Sequence, residues 1–575
     1  MLMSDKTYVS LDQPLFHQLR SLIEEANMLK ENPKDPLRIT RYQVNLWDEL
    51  AGLATEVSGT DSWYAAISGL ATGSEKASEI PVPDTVDATL RPYQVDGFRW
   101  LASLWRQGLG GILADDMGLG KTLQVITLLV HMRQAWMSED QNGQDVSAVS
   151  DASAHTALTG GAGPVLVVAP TSVVPNWLAE LRRFAPGVRV AGVRDTQAKA
   201  AQSLAEVAAH NDVVVTSYTL FRLDSDVYHD VEWSALILDE AQFVKNKSTK
   251  AHQTARELKA RVKFAITGTP LENNLMELWA LLAITSPGLF PSSSKFAEVF
   301  GRPIERMGAV EPLERLRRRV RPFMLRRTKT EVMTDLPSKQ EQVLAIDLSD
   351  EHRRIYDTRL QRERQKVLHL VEDINRNRFT IFTSLTTLRL MALDPALVDE
   401  EEFADVGSAK LDTLLDYLNS LLAEGHRALV FSQFTSFLKR AGARLDEAGI
   451  DYAYLDGATR NREEAIQEFK DGEAPVFLIS LKAGGFGLNL TEADYIFLMD
   501  PWWNPAAEAQ AVDRAHRIGQ TRNVMVYRMV SAGTIEEKVV ALQDAKRELI
   551  TSVMDGGDGF ASALSADDIR ELLAE

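Results

Sequence analysis

A glycine-rich run, Asp116-Met-Gly-Leu-Gly-Lys121-Thr122, lies between the apolar stretch Gly111-Ile-Leu-Ala114 and a helical pattern over residues 123–130. A strand–turn–helix unit of this composition constrains the fold more than any other feature of the chain. Its glycines let the backbone curl so that successive N–H groups face an anion at a helix N-terminus. Read this way, the turn cradles phosphates, aims Lys121 at the β/γ oxygens and offers Thr122 to Mg²⁺. The strict pattern has Gly six residues before the Lys; this chain has Asp115 there. The second half of the reading is Leu236-Ile-Leu-Asp239-Glu240-Ala-Gln242, an apolar strand ending in two adjacent carboxylates. Asp239 suits the metal shell, and Glu240 suits orienting or deprotonating an attacking water. The acidic pair separates this run from a chance Gly-x-Gly-Lys-Thr loop.

The surrounding pattern is that of α/β domains. Val165-Leu-Val-Val168, Val213-Val-Val215, Leu236-Ile-Leu238 and Phe264-Ala-Ile266 are short apolar runs ending in polar or glycine-containing turns. Such runs predict buried parallel strands, whose carboxyl ends carry the ligand site. A second set follows: Ala428-Leu-Val-Phe431, Val476-Phe-Leu-Ile479 and Tyr495-Ile-Phe-Leu498. The 575 residues suffice for three or four domains. The expected division is a helical N-terminal appendage over 1–86 and a first lobe over 87–345 with a helical protrusion from about 278. A helical linker of the second lobe then covers 346–404, the second lobe 405–535 and a C-terminal helical brace 536–575. Residues 138–163, rich in Ser, Ala, Gly and Asp, read as a surface insertion.

Composition excludes several classes. There are no cysteines, so neither disulfides nor thiolate zinc sites can form. The ten histidines show no metal-ligand spacing. No apolar run approaches the roughly 20 residues that span a bilayer, and no signal peptide is read at the start. A cytoplasmic monomer with no membrane partner is expected, nucleoid-associated if bacterial. The net charge of −18 argues against a nucleic-acid partner at first sight. Local clustering matters more, and Arg315-Leu-Arg317-Arg318-Arg319-Val-Arg321 with Arg326-Arg327-Thr-Lys329 forms one basic cluster. It reads either as a nucleic-acid groove or as a salt-bridged helix face.

In the second half, Gln510-Ala-Val-Asp-Arg514-Ala-His-Arg517-Ile-Gly-Gln520 places two arginines three apart. A helix over 506–518 would put both on one face, fit either to reach a γ-phosphoryl group or to pair with surface carboxylates. The glycine-dense Lys482-Ala-Gly-Gly-Phe-Gly487 turn permits close backbone approach to phosphate.

The motif order resembles the Swi2/Snf2 branch of superfamily 2 helicase-like ATPases, in particular the C-terminal ATPase core of bacterial Snf2-like proteins. The resemblance rests on Leu90-Arg-Pro-Tyr-Gln94, the 116–122 run, Ala169-Pro-Thr171, Asp239-Glu-Ala-Gln242, Thr267-Gly-Thr-Pro270 and Leu429-Val-Phe-Ser-Gln433. The 480–491 and 510–520 segments extend it. Asp500-Pro-Trp-Trp503-Asn-Pro505 and Arg321-Pro-Phe-Met-Leu-Arg-Arg327-Thr-Lys329 mark this branch specifically.

The resemblance covers residues 88–545. It implies two RecA-like parallel-sheet lobes with helical protrusions, ATP and Mg²⁺ held between them, and double-stranded DNA gripped by its backbone. For ATP it implies Gln94 reading adenine, Asp116, Met117, Gly118, Leu119, Gly120, Lys121, Thr122 and Gly487 around the nucleotide, and Arg514 and Arg517 arriving from the other lobe. For DNA it nominates Thr171, Trp177, Thr216, Ser217, Lys245, Gln433, Lys482 and Trp503, with Trp502 and Trp503 equally readable as packing aromatics. The family member would translocate without separating strands. The alternatives are an unwinding helicase, or a nucleotide-controlled adaptor acting on a protein such as RNA polymerase or a defence complex. Residue 242 is Gln where many members have His, and residue 116 is Asp where many have Glu. Residues 1–86 are expected to be the remnant of a longer N-terminal region and a surface for a protein partner.

Overall fold

Runs of β-branched and aliphatic residues build two parallel sheets, each in its own compact unit. The computed structural model describes residues 20, 22–23, 40–43, 49, 79–142, 163–271, 274–333, 336–368, 374–481, 483, 488–503, 505–544 and 572. The units are Met1–Val332 and Met333–Glu575. Most of the expected 1–86 appendage and of the 138–163 insertion lie outside the described residues, as do Lys482 and Gly487.

The first sheet holds β1 (Gly111–Leu113), β2 (Val165–Ala169), β3 (Val190–Gly192), β4 (Val213–Ser217), β5 (Trp233–Asp239), β6 (Ala260–Ile266) and β7 (Met324–Leu325). Their order is β3-β4-β2-β5-β6-β1-β7, and every pairing is parallel. Every residue of β2, β4 and β5 is buried, as expected of a sheet covered on both faces, whose strands carry unbroken rather than alternating apolar runs. Because all strands point one way, the turns after β1, β5 and β6 share the carboxyl edge of the sheet.

The second sheet holds β8 (Lys339–Ile346), β9 (Ala428–Ser432), β10 (Tyr452–Leu455), β11 (Val476–Ser480), β12 (Tyr495–Leu498) and β13 (Val524–Ser531). The order is β10-β11-β9-β12-β13-β8, again all parallel. Leu429, Phe431, Phe477, Ile479, Ile496 and Leu498 pack on one side, and Val430, Val476, Leu478 and Phe497 on the other.

Two expectations need correction. The first lobe does not run to 345, because β8 pairs with β13 over eight residue pairs and belongs to the second sheet. The helix expected over 506–518 stops early, spanning Pro505–Val512. Beyond it the backbone turns against residues 488–493. Leu490 N donates to the Arg514 carbonyl at 3.0 Å, and Gln520 Nε2 to the Ala493 carbonyl at 2.8 Å.

Candidate active site

The phosphate loop is anchored on both sides. Ala114 N donates to the Leu325 carbonyl at 2.7 Å and Asp116 N to the Arg327 carbonyl at 3.0 Å, extending the β1–β7 pairing into the loop. Gly118 and Gly120 have φ of 86° and 74°, the left-handed region that an L side chain enters at a cost. A Cβ on Gly120 would also lie 2.4 Å from Gln94 Nε2. Tyr93 Oη and Gln94 Nε2 both donate to the Leu119 carbonyl at 3.1 Å, and Gln94 Oε1 accepts from Arg91 N at 2.9 Å. Gln94 thus braces the loop while sitting at the start of the Pro92–Arg106 helix. Lys121 Nζ donates to the carbonyls of Asp115 and Asp116 at 2.6 and 3.0 Å. The amine is held over its own loop, and Thr122 follows in the first turn of the Lys121–Asn142 helix.

At the end of β5 the Asp239 carboxylate accepts two hydrogen bonds, from Trp177 Nε1 at 2.7 Å and from Glu240 N at 3.0 Å. Tyr218 Oη donates to the Asp239 carbonyl at 2.8 Å. Burial, reinforced by the neighbouring Glu240 charge, pushes the Asp239 carboxyl up to about 7. A buried carboxyl beside a second acid, with Lys121 the cation acting on it, is an arrangement that a divalent ion completes. Among the described residues no group of three or more His, Cys, Asp or Glu could cage a metal. Mg²⁺ takes one or two protein ligands and fills its octahedron with water and substrate phosphate. Asp239 and Thr122 would be those ligands.

Glu240 has φ of 49°, the one positive value outside glycine among the described residues. Such strain marks a constrained functional turn. Its carboxylate accepts from Gln242 Nε2 at 2.8 Å. Thr267 Oγ1 donates to Gln242 Oε1 at 3.1 Å, and Thr269 N donates to Thr267 Oγ1 at 3.0 Å. Lys245 Nζ closes the line on the Thr269 carbonyl, with Glu277 3.7 Å away. The departure at 242 therefore keeps a function: an amide can bridge Glu240 and Thr267 because it donates and accepts at once.

The nucleic-acid residues divide. Thr171 is exposed. Trp177, Thr216, Ser217 and Lys245 are buried, and their side chains bond within the first lobe. Trp177 serves Asp239; Thr216 Oγ1 meets Tyr228 Oη at 2.7 Å; Ser217 Oγ accepts from Leu220 N at 3.2 Å as a helix cap. In the second lobe, Gln433 is half-buried with its N–H on Asp500 at 3.2 Å. Trp503 is half-buried, its ring 5.3 Å from the Arg389 guanidinium. Arg389 also lies 5.5 Å from the Trp502 ring, and Trp502 and Trp503 pack against the core clusters of the second lobe.

Arg514 and Arg517 sit in the turn after the shortened helix. Arg514 is 3% exposed, while Arg517 is half-buried and donates to the Leu488 carbonyl at 3.2 Å. They do not form the shared helical face expected of them. The basic cluster is divided, with Arg319 buried and Arg318 and Arg321 exposed. Arg319 is 2% exposed and pairs with Glu49 at 3.0 Å, Arg318 pairs with Glu49 at 3.5 Å, and Arg315 with Glu311 at 2.7 Å. Arg327 forms an ion pair with the buried Asp115. That pairing, invisible in the local sequence, explains the residue that broke the strict phosphate-loop pattern.

Comparison with known proteins agrees with this geometry. The SNF2-related domain matches residues 93–397, and the helicase conserved C-terminal domain matches residues 409–519. The Bacillus subtilis protein YwqA is 34% identical over 510 residues, covering 87% of this chain and 52% of that protein. The human SWI/SNF-related matrix-associated actin-dependent regulator of chromatin subfamily A member 1 is 35% identical over 502 residues, covering 84% of this chain and 46% of its own length. A solved Sulfolobus solfataricus SWI2/SNF2 ATPase core in complex with double-stranded DNA is 31% identical with a TM-score of 0.40, covering 86% of this chain and 99% of that one. The chain spans about half the length of the curated relatives it matches.

Proposed function

The chain belongs to the SNF2-related family of ATP-dependent helicase-like enzymes, and from that premise we propose that it moves along double-stranded DNA by its backbone without separating the strands. ATP hydrolysis comes with the family. The observation that carries the reading is the carboxyl edge of the first sheet. There the Lys121 loop, the Asp239–Glu240 pair and the Thr267–Lys245 line share one parallel scaffold.

On this reading Lys121 exchanges the Asp115 and Asp116 carbonyls for β/γ-phosphate oxygens when nucleotide enters. Gln94 stands beside the loop to read the adenine edge. Glu240 orients the attacking water, its strained backbone fixing the carboxylate before substrate arrives. When bound through Asp239 and Thr122, Mg²⁺ supplies charge neutralisation of the β- and γ-oxygens. Arg514 and Arg517 would furnish the remaining positive charge. Release of the γ-phosphate frees Glu240, and the Gln242–Thr267–Thr269–Lys245 line passes that change to the loop around Thr269.

Duplex DNA is favoured as the track because the relatives' names place them on chromatin: one is a regulator of chromatin and another, 34% identical, is the yeast ISWI chromatin-remodelling complex ATPase ISW1. Thr171, Gln433 and Trp503 are the nominated residues with surface to offer. Main-chain and hydroxyl contacts to phosphate track a backbone without reading sequence. The test is displacement of a third strand from a blunt triplex against opening of a forked duplex. ATP-dependent loss of the third strand with the fork intact is expected; opening of the fork would replace this reading with strand separation.

A further inference from the structure

Arg327 lies in a basic run, yet its guanidinium faces the back of the phosphate loop. Its side chain is 13% exposed and Asp115 is fully buried. Nε donates to Asp115 Oδ1 at 2.9 Å, and Nη2 donates to Asp115 Oδ2 and, at 3.0 Å, to Gln124 Oε1. Gln124 Nε2 closes the ring on Asp115 Oδ2 at 3.2 Å. Nη1 donates to the Tyr93 carbonyl, and the guanidinium sits 5.5 Å from the Tyr93 ring. The main chain adds to this, because Lys329 N donates to Asp116 Oδ2 at 3.0 Å. A Cβ on Gly97 would lie 1.8 Å from Gln124 Oε1 and 2.6 Å from Arg327 Nη2, so the ring requires glycine there.

We propose that Arg327 is a positioning residue for nucleotide: it neutralises the buried Asp115 carboxylate beneath the phosphate loop and fixes that loop to the segment where the chain leaves the first unit. Two facts separate this role from direct phosphate or DNA binding. The guanidinium is committed to four acceptors inside the lobe, in the bidentate geometry suited to a carboxylate. The Asp115 carbonyl that its partner carries is also the one holding Lys121 Nζ, so a shift of Asp115 moves the lysine. An unpaired Asp115 carboxylate would oppose a polyphosphate bound next to it, and a buried charge stripped of its partner is costly.

The inference rests on the ATPase activity of the family and not on the choice of DNA. Binding of a fluorescent ADP to the full chain, measured without DNA, reads it directly. Arg327→Gln is expected to weaken ADP about tenfold and to raise KM for ATP more than it lowers kcat. Arg327→Lys, which keeps the charge and loses the fork, should fall between. Adding Asp115→Asn to Arg327→Gln should return ADP affinity to within about threefold of the parent, since the repelling charge is gone. A double variant as weak as the single would assign Arg327 to the phosphate itself and overturn the proposal, as would wild-type affinity in the single variant. If Arg327→Gln does not fold, the double variant decides alone: parental affinity supports the proposal, and a loss of about tenfold or more overturns it.

Discussion

The hydrogen bond from the Trp177 indole to Asp239 is an electrostatic control on the acidic site. Desolvation and the neighbouring Glu240 charge raise the Asp239 carboxyl and the indole N–H lowers it, so the donor favours the ionised form. Only the ionised form can ligate a cation. Trp177→Phe keeps the aromatic packing and removes the donor, which raises the carboxyl further. We expect the Mg²⁺ concentration for half-maximal hydrolysis to rise roughly tenfold and the acid limb of the pH–rate profile to move upward. An unchanged Mg²⁺ requirement would mean that Asp239 is not the ligand. At this scale the sequence reveals groups that act through neighbours, such as Lys121 and Thr122 or Asp239 and Glu240. It hides partners brought together by the fold: Trp177 is 62 residues from Asp239, and Arg327 is 212 from Asp115. No local pattern carries such pairs.

Between elements, buried ionisable side chains set how the protein responds to pH and substitution. His131, on the Lys121–Asn142 helix, lies edge-on between Phe98 and Trp105 of the Pro92–Arg106 helix. Burial, with Arg106 adding to it, lowers the imidazole from 6.5 to about 4. The unfolded chain therefore takes up a proton between about 6.5 and about 4 that the native state refuses, and stability falls as pH drops through that window. Between pH 7 and pH 5 the parent should lose roughly 2 kcal/mol more than His131→Leu, read as the difference in their denaturant midpoints. Equal losses would show a charged imidazole already accommodated. In the second lobe, Lys410 and Glu536 are fully buried and paired at 2.6 Å. Lys410 Nζ also holds the Met499 and Met529 carbonyls at 2.6 and 2.9 Å, tying β12 and β13 to the C-terminal segment. Lys410→Met strands Glu536 and should cost roughly 3–5 kcal/mol; a loss below about 1 kcal/mol would show that the pair is dispensable. The central strands were legible because both faces are buried and their apolar runs are continuous. Strand β8 was not, because it lies at the sheet edge and most of Lys339–Ile346 is exposed. The 506–518 helix was misjudged because the tighter turns after Val512 pack against residues 488–493, which only the folded chain brings near.

For the whole molecule, the basic cluster is only partly committed to internal ion pairs. Arg315, Arg318, Arg319 and Arg327 have carboxylate partners, while Arg318 and Arg321 stay exposed, so part of the run faces solvent in a chain of net charge −18. On the proposed reading, duplex binding would draw on these exposed cations as well as on main-chain N–H and hydroxyl contacts, and should weaken as salt rises. The most direct test is steady-state ATP hydrolysis by the full chain with duplex DNA, single-stranded DNA and RNA supplied in parallel at equal nucleotide concentration, with Lys121→Ala as the control. Stimulation by duplex DNA well beyond that by either single strand, abolished in Lys121→Ala, is the predicted result. Hydrolysis indifferent to duplex DNA, or stimulated by single strands instead, would contradict the account.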